Sequence, residues 1–112
     1  MIYHICEPGE TDHIREKGFY EPAGFAREGF IHFSTKEQIL NTAKRFYNGM
    51  DGLEILEVDE TTHPERVHLE NTSGGKEQFP HYYAILPASE ILRVIPFPRT
   101  ADGNFVLPPE MN

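Results

Sequence analysis

Three histidines stand in strand-like apolar frames: Ile2-Tyr3-His4-Ile5, Phe30-Ile31-His32-Phe33-Ser34 and Phe79-Pro80-His81-Tyr82-Tyr83. Large apolar or aromatic neighbours place each imidazole on a β-ladder, not in a loop. A rigid strand fixes the orientation of the ring and lets its surroundings tune its pKa, which suits ligand binding or proton transfer near neutral pH. Taken singly, each histidine also reads as a half-buried core residue with a hydrogen-bond partner. Three of them, with Ser34, Glu70 and Tyr83 falling in the same kind of frame, point to a shared cleft. His32, His81 and Glu70 are the candidates for acid/base work, and His4, Ser34 and Tyr83 for ligand contacts.

A metal centre is the first alternative use of six histidines, but the spacing argues against it. The chain has no His-x-x-x-His, no His-Glu-x-x-His and no Cys-x-x-Cys, so a site would need distant residues to converge. No metal is therefore expected. Ser34 has no Gly-x-Ser-x-Gly elbow around it, and a helix-capping role accounts for its position. Gly74-Gly75 lacks the strand-to-helix frame and lysine of a phosphate loop.

The 112 residues suit one domain, 1–112. A chain of this length buries roughly 65% of the surface that it exposes when unfolded. A net charge of −8 disfavours nucleic acid as a partner. Between Arg15 and Arg45 the balance reverses, with six bases and four acids, which is compatible with a small anionic or nucleotide-like ligand. No apolar run approaches a membrane span, the amino terminus enters a strand pattern at once, and the single Cys6 has no disulfide partner. A soluble, cytoplasmic protein with a reduced, structural thiol is expected.

The elements that position these residues follow from pattern and punctuation. Residues 2–6 read as a strand, 10–17 as a short helix stopped by Gly18, 22–28 as a loop, and 30–33 as a second strand opened by Gly29. Ser34 with Glu37, or Thr35 with Gln38, forms a capping box ahead of a helix whose stripe is Ile39, Leu40, Ala43, Phe46 and Tyr47. That stripe is read as core. Residues 53–58 and 67–70 read as strands, the latter placing His68 and Glu70 on one face. A loop follows at 71–76, then strands at 81–86 and 91–97, and a turn at 101–104 leading into a last extended piece at 105–107. Two main helices in the first half and strands in the second give an α+β domain with a bent or split, mostly antiparallel sheet.

The frame Glu28-Gly29-Phe30-Ile31-His32-Phe33-Ser34-Thr35, with the first and third histidine motifs in order around it and Asp102-Gly103-Asn104-Phe105-Val106-Leu107-Pro108 closing the chain, resembles the bacterial domain of unknown function 952. The resemblance implies an ADP-ribosyltransferase-like architecture, with bent antiparallel sheets around a cleft. By that likeness His4 matches a first-strand histidine that holds a ribose hydroxyl of NAD, and Ile14-Arg15-Glu16-Lys17-Gly18-Phe19 is similar to the helix that follows. Ser34 resembles a serine bracing the cleft, and Phe33 or Tyr47 would cover the nicotinamide. The third motif departs from the pattern, with His81 about where a glutamate would fall. An imidazole does not stabilise an oxocarbenium-like cation as a carboxylate does, and Glu70 or Glu77 would have to substitute. The leading expectation is an enzyme acting on a small phosphorylated or nucleotide-like ligand. The alternative is a ligand-sensing or protein-interaction module that kept the cleft without the chemistry.

Overall fold

A computed structural model describes residues 1–72 and 74–112. The first sheet is built on the most regular apolar alternation in the chain. β1 (Ile2–Cys6) and β8 (Ile91–Phe97) flank β4 (Leu53–Val58), both antiparallel to it, with Ile5 opposite Ile55 and Ile55 opposite Ile95. All five residues of β1 are buried because both faces of this sheet are covered. On one face Ile2, Cys6, Leu56 and Val58 join Tyr20, Ile31, Phe33 and Tyr82. On the other, Tyr3, Ile5, Leu53, Ile55, Ile95 and Phe97 pack with Ile39, Ala43 and Met111. Leu56 is fully buried on the central strand. Leu56→Ala is therefore expected to cost about 2–5 kcal/mol in a urea unfolding measurement.

The second sheet carries the histidines. β6 (Phe79–Tyr82) lies between β3 (Ile31–His32) and β5 (Val67–Glu70), again antiparallel. Pro80 sits inside its central strand and explains how short β3 is. The amide of Phe33 donates to the Pro80 carbonyl at 2.9 Å, but Pro80 has no N–H to complete the pair, so the ladder stops there. Released from β6, the chain crosses to the first sheet one residue later. Tyr3 and Ser34 exchange both backbone bonds, at 2.8 and 2.7 Å, and so join β1 to the continuation of β3. A two-stranded ladder of β2 (Phe19–Tyr20) and β7 (Leu86–Pro87) completes the sheet structure.

All strand pairings are antiparallel among the described residues, and the α+β class holds. The helices differ from the sequence reading. The segment 10–17 is helical only over α1 (Ile14–Lys17), ended as expected by Gly18 in the left-handed region at φ 78°. The expected loop at 22–28 contains a one-turn helix, α2 (Phe25–Glu28), and Gly29 caps it at φ 81° instead of opening a strand. There are thus three α-helices among the described residues, of which only α3 (Ile39–Phe46) exceeds one turn.

Ahead of α3, the Thr35 amide donates to Gln38 Oε1 at 3.0 Å, the glutamine half of the second capping-box reading, while the Gln38 backbone amide donates to the Thr35 backbone carbonyl. Ile39 and Ala43 are buried, but Phe46 is 61% exposed and does not belong to the core. The strand expected at 81–86 runs instead over Phe79–Tyr82 and resumes at Leu86. Residues 105–107 form no strand. Phe105 packs on Phe97 at 4.9 Å between ring centres and Leu107 on the second core, and Pro108 and Pro109 end the segment.

Candidate functional site

Strand parity puts Phe30 and His32 on the same side of β3, Phe79 and His81 on the same side of β6, and His68 and Glu70 on the same side of β5. The register then aligns them. His32 is paired with His81 and His81 with His68, so three imidazoles occupy one rung across the sheet. His32 and His81 meet edge to face with ring centres 5.1 Å apart. Phe30 stacks on His81 at 4.2 Å and an interplanar angle of 17°, and also contacts His32 and Tyr83. His68 contacts Tyr83 but is not a neighbour of the cleft described below.

Each of the two central imidazoles is held by a carboxylate. Nδ1–H of His81 donates to Glu70 Oε1 at 3.0 Å, and the Tyr83 hydroxyl donates to the same oxygen. These two donors hold the Glu70 carboxyl below the usual carboxylate range, Tyr83 contributing most. Nε2–H of His32 donates to Glu28 Oε2 at 2.9 Å. The second nitrogen of each ring, Nε2 of His81 and Nδ1 of His32, has no hydrogen-bond partner among the described residues. Nε2 of His81 is not sealed away from solvent, and the His32 side chain is itself exposed. Two imidazoles therefore stand side by side, each oriented on one nitrogen and open on the other, which is the arrangement proton transfer needs.

His4 is bonded differently. A carbonyl can only accept, so Nδ1–H of His4 donates to the His32 carbonyl at 2.6 Å. Burial lowers the His4 pKa from 6.5 to about 4, so the ring is neutral. Its Nε2 accepts the Tyr20 hydroxyl at 2.8 Å. Tyr20 has then spent its proton on His4. Burial pushes the nearby Cys6 thiol up to about 12, in keeping with a structural cysteine. The relay from Tyr20 through His4 ends on the backbone of His32 and ties β2, β1 and β3 together. Ser34 is similarly engaged. Thr42 gives its proton to the Gln38 carbonyl at 3.0 Å, so Ser34 Oγ–H donates to Thr42 Oγ1, also at 3.0 Å. Glu77 accepts a bond from the Gln38 side-chain amide at 3.2 Å.

A cleft of about 470 Å³ opens where β1 meets β3, walled by α2 and α3. Of the residues singled out in the sequence, it brings together His4, His32, Ser34 and His81, while Glu70 and Tyr83 stand behind His81 and do not line it. The residues missed are as informative. Glu28, Phe30, Thr42, Arg45 and Phe46 all line the cleft. Phe30 was within reach of parity, two residues before His32 on the same face. Glu28 was not, because its direction depends on a one-turn helix too short to show a period. Tyr47 and Phe33 both line the cleft, the Tyr47 phenol pushed up to about 12 by burial and by Glu10, and Phe33 almost wholly buried against His4 and Tyr82. No group of three or more metal-ligating side chains is assembled among the described residues.

These small antiparallel sheets with three helices define an α+β protein in which two neighbouring sheets meet along one cleft. Over residues 5–94 the chain matches the family described as protein of unknown function DUF952, and it belongs to that family. It is similar to the crystal structure of protein CC0527 from Caulobacter crescentus, with a TM-score of 0.82 and 34% identity over 95% of this chain and 93% of that one. The solution NMR structure of CC0527 gives a TM-score of 0.81 and 35% identity over 92% and 89% of the two chains. No curated protein matches the chain.

Proposed function

We propose that the cleft binds a small phosphorylated or nucleotide-like ligand and that His32 and His81 act on it as general acid and base. The observation that carries this reading is the pair of imidazoles on one rung, each fixed by a carboxylate and each presenting a free nitrogen. The cleft volume of about 470 Å³ lies within the ordinary range for small-molecule sites. Neutral His32 or His81 accepts a proton from a ligand hydroxyl or water. The protonated partner returns one to a leaving oxygen, and Glu28 and Glu70 stabilise whichever ring becomes positive. A cytoplasmic setting belongs to the same reading and is supported by the buried, free Cys6. No helix among the described residues is long and apolar enough to cross a membrane.

An ADP-ribosyltransferase-like architecture is the fold reading we attach to this function. It is supported by two antiparallel sheets meeting at β1 and β3, with His4 on the first strand and Ser34 at the end of the second motif. The position of Glu70 behind His81 favours a second reading, a non-catalytic sensing or interaction module, since this carboxylate is drawn out of the cleft by Tyr83 and His81.

A melting screen over NAD, ADP-ribose, nucleotides and sugar phosphates separates the two readings when followed by assays of turnover and nicotinamide release. A ligand at a hundredfold excess over Kd adds about 2.7 kcal/mol and raises the melting temperature visibly. We expect a shift with at least one nucleotide-like ligand and no efficient release of nicotinamide from NAD. Robust release that disappears in Glu70→Gln would overturn the assignment of the third motif. No shift with any of these ligands transfers the weight to an interaction module.

A further inference from the structure

We infer that the cleft selects a ligand with an aromatic ring and no more than one phosphate group, and that Glu7, Glu10 and Arg45 impose this selection. The inference rests on the cleft being the binding site and narrows the ligand class.

The charges lining the cavity run against the simple expectation of an anion site. Three carboxylates, Glu7, Glu10 and Glu28, face it against the guanidinium of Arg45. Glu28 is balanced in part by its bond to His32, but Glu7 has no side-chain partner among the described residues, and Glu10 accepts only the Glu7 amide, at 2.6 Å. Buried His4 is neutral and offsets none of this. A chain of phosphates in such a cavity meets net negative potential. Ligand hydroxyls, by contrast, are the natural donors to unpaired carboxylates.

Arg45 supplies the single place for a phosphate. Its guanidinium lies over the Phe46 ring, 5.0 Å from the ring centre, and forms no ion pair among the described residues. Phe46 is exposed although it belongs to the apolar stripe of α3, and its place on the cleft wall accounts for this. With Phe30 and Phe79 it gives the cavity aromatic surfaces on which a planar ring stacks. The cleft thus combines stacking surfaces, hydroxyl acceptors and one cation, which fits a nucleoside or nucleoside monophosphate and disfavours di- and triphosphates.

Calorimetry with adenosine and its mono-, di- and triphosphate, on wild type, Glu7→Gln, Glu7→Gln/Glu10→Gln and Arg45→Ala, tests this. In the wild type, adenosine or its monophosphate binds best, and each further phosphate weakens binding by roughly tenfold. Glu7→Gln removes a charge without breaking a side-chain bond and narrows the penalty, and the double variant narrows it further. Arg45→Ala removes any preference for the monophosphate over the nucleoside. Affinity that climbs with phosphate number in the wild type and ignores the Glu7 and Glu10 substitutions overturns the inference while leaving the proposed function standing. Failure of all four probes to bind, by calorimetry and by melting, overturns the inference. Survival of the broader reading would then depend on the wider ligand screen.

Discussion

Between pH 6.5 and about 4 the protein is expected to lose roughly 3 kcal/mol of stability through His4 alone. Burial depresses the folded-state pKa of this ring below its unfolded value, so the unfolded chain binds the extra proton first as the pH falls. The contribution of neutral His4 is complete above pH 6.5 and is lost as the pH drops through the window toward 4. Protonation also reverses Nε2 from acceptor to donor, setting it against the Tyr20 hydroxyl that donates to it. Glu57 and Glu70 have depressed pKa values too, but their contribution is lost only as the pH falls below the ordinary glutamate value of 4.5, so the upper part of the window belongs to histidine. Urea unfolding at intervals from pH 7 to 4, on wild type and His4→Gln, measures the effect. The variant is expected to be less stable at pH 7 and to show a flatter profile down to pH 5. Parallel profiles for the two proteins would mean that His4 is not the buried neutral clamp described here.

What the sequence revealed about this site followed the reach of each local signal. Alternation over several residues was readable, so the strands at 2–6, 53–58, 67–70 and 91–97 emerged with their observed bounds, and His68 and Glu70 were placed correctly on one face. Register between distant strands was not readable. Nothing local pairs His32 with His81, so the rung that makes the two rings neighbours comes only from the assembled sheet. The one-turn helix α2 was invisible for a related reason, since it completes barely one helical repeat between Gly24 and Gly29. The error at Phe46 was of another kind. Helical spacing placed it on the apolar stripe, but the stripe runs past the end of the core and onto the cleft wall. At 105–107 the apolar residues Phe105 and Leu107 pack on the second core without pairing in a ladder.

The largest functional effects are expected at the two imidazoles, and the glycine at the start of α2 separates chemistry from packing. Removing a general acid or base lowers turnover by about 10²- to 10⁴-fold, so His32→Ala and His81→Ala should each abolish measurable activity on a substrate found by the ligand screen. Both are expected to weaken binding of that ligand while costing less stability than a core truncation of about 2 kcal/mol. His32 should cost the less of the two, because its side chain is 52% exposed whereas His81 is 2% exposed and stacked on Phe30. Gly24→Ala reaches His32 without touching it. The backbone of Gly24 lies in the right-handed helical region that any residue adopts. A Cβ added there would nevertheless lie 2.7 Å from Glu28 Oε1 and push away the carboxylate that fixes the His32 ring. Gly24→Ala and Glu28→Gln are therefore expected to produce similar losses of activity with little change in melting temperature, and their double variant to lose no more than either alone. Full additivity would separate Gly24 from Glu28. If His32→Ala and His81→Ala both unfold the protein while Gly24→Ala and Glu28→Gln leave ligand binding and turnover untouched, the two histidines are core residues and the acid/base reading is wrong.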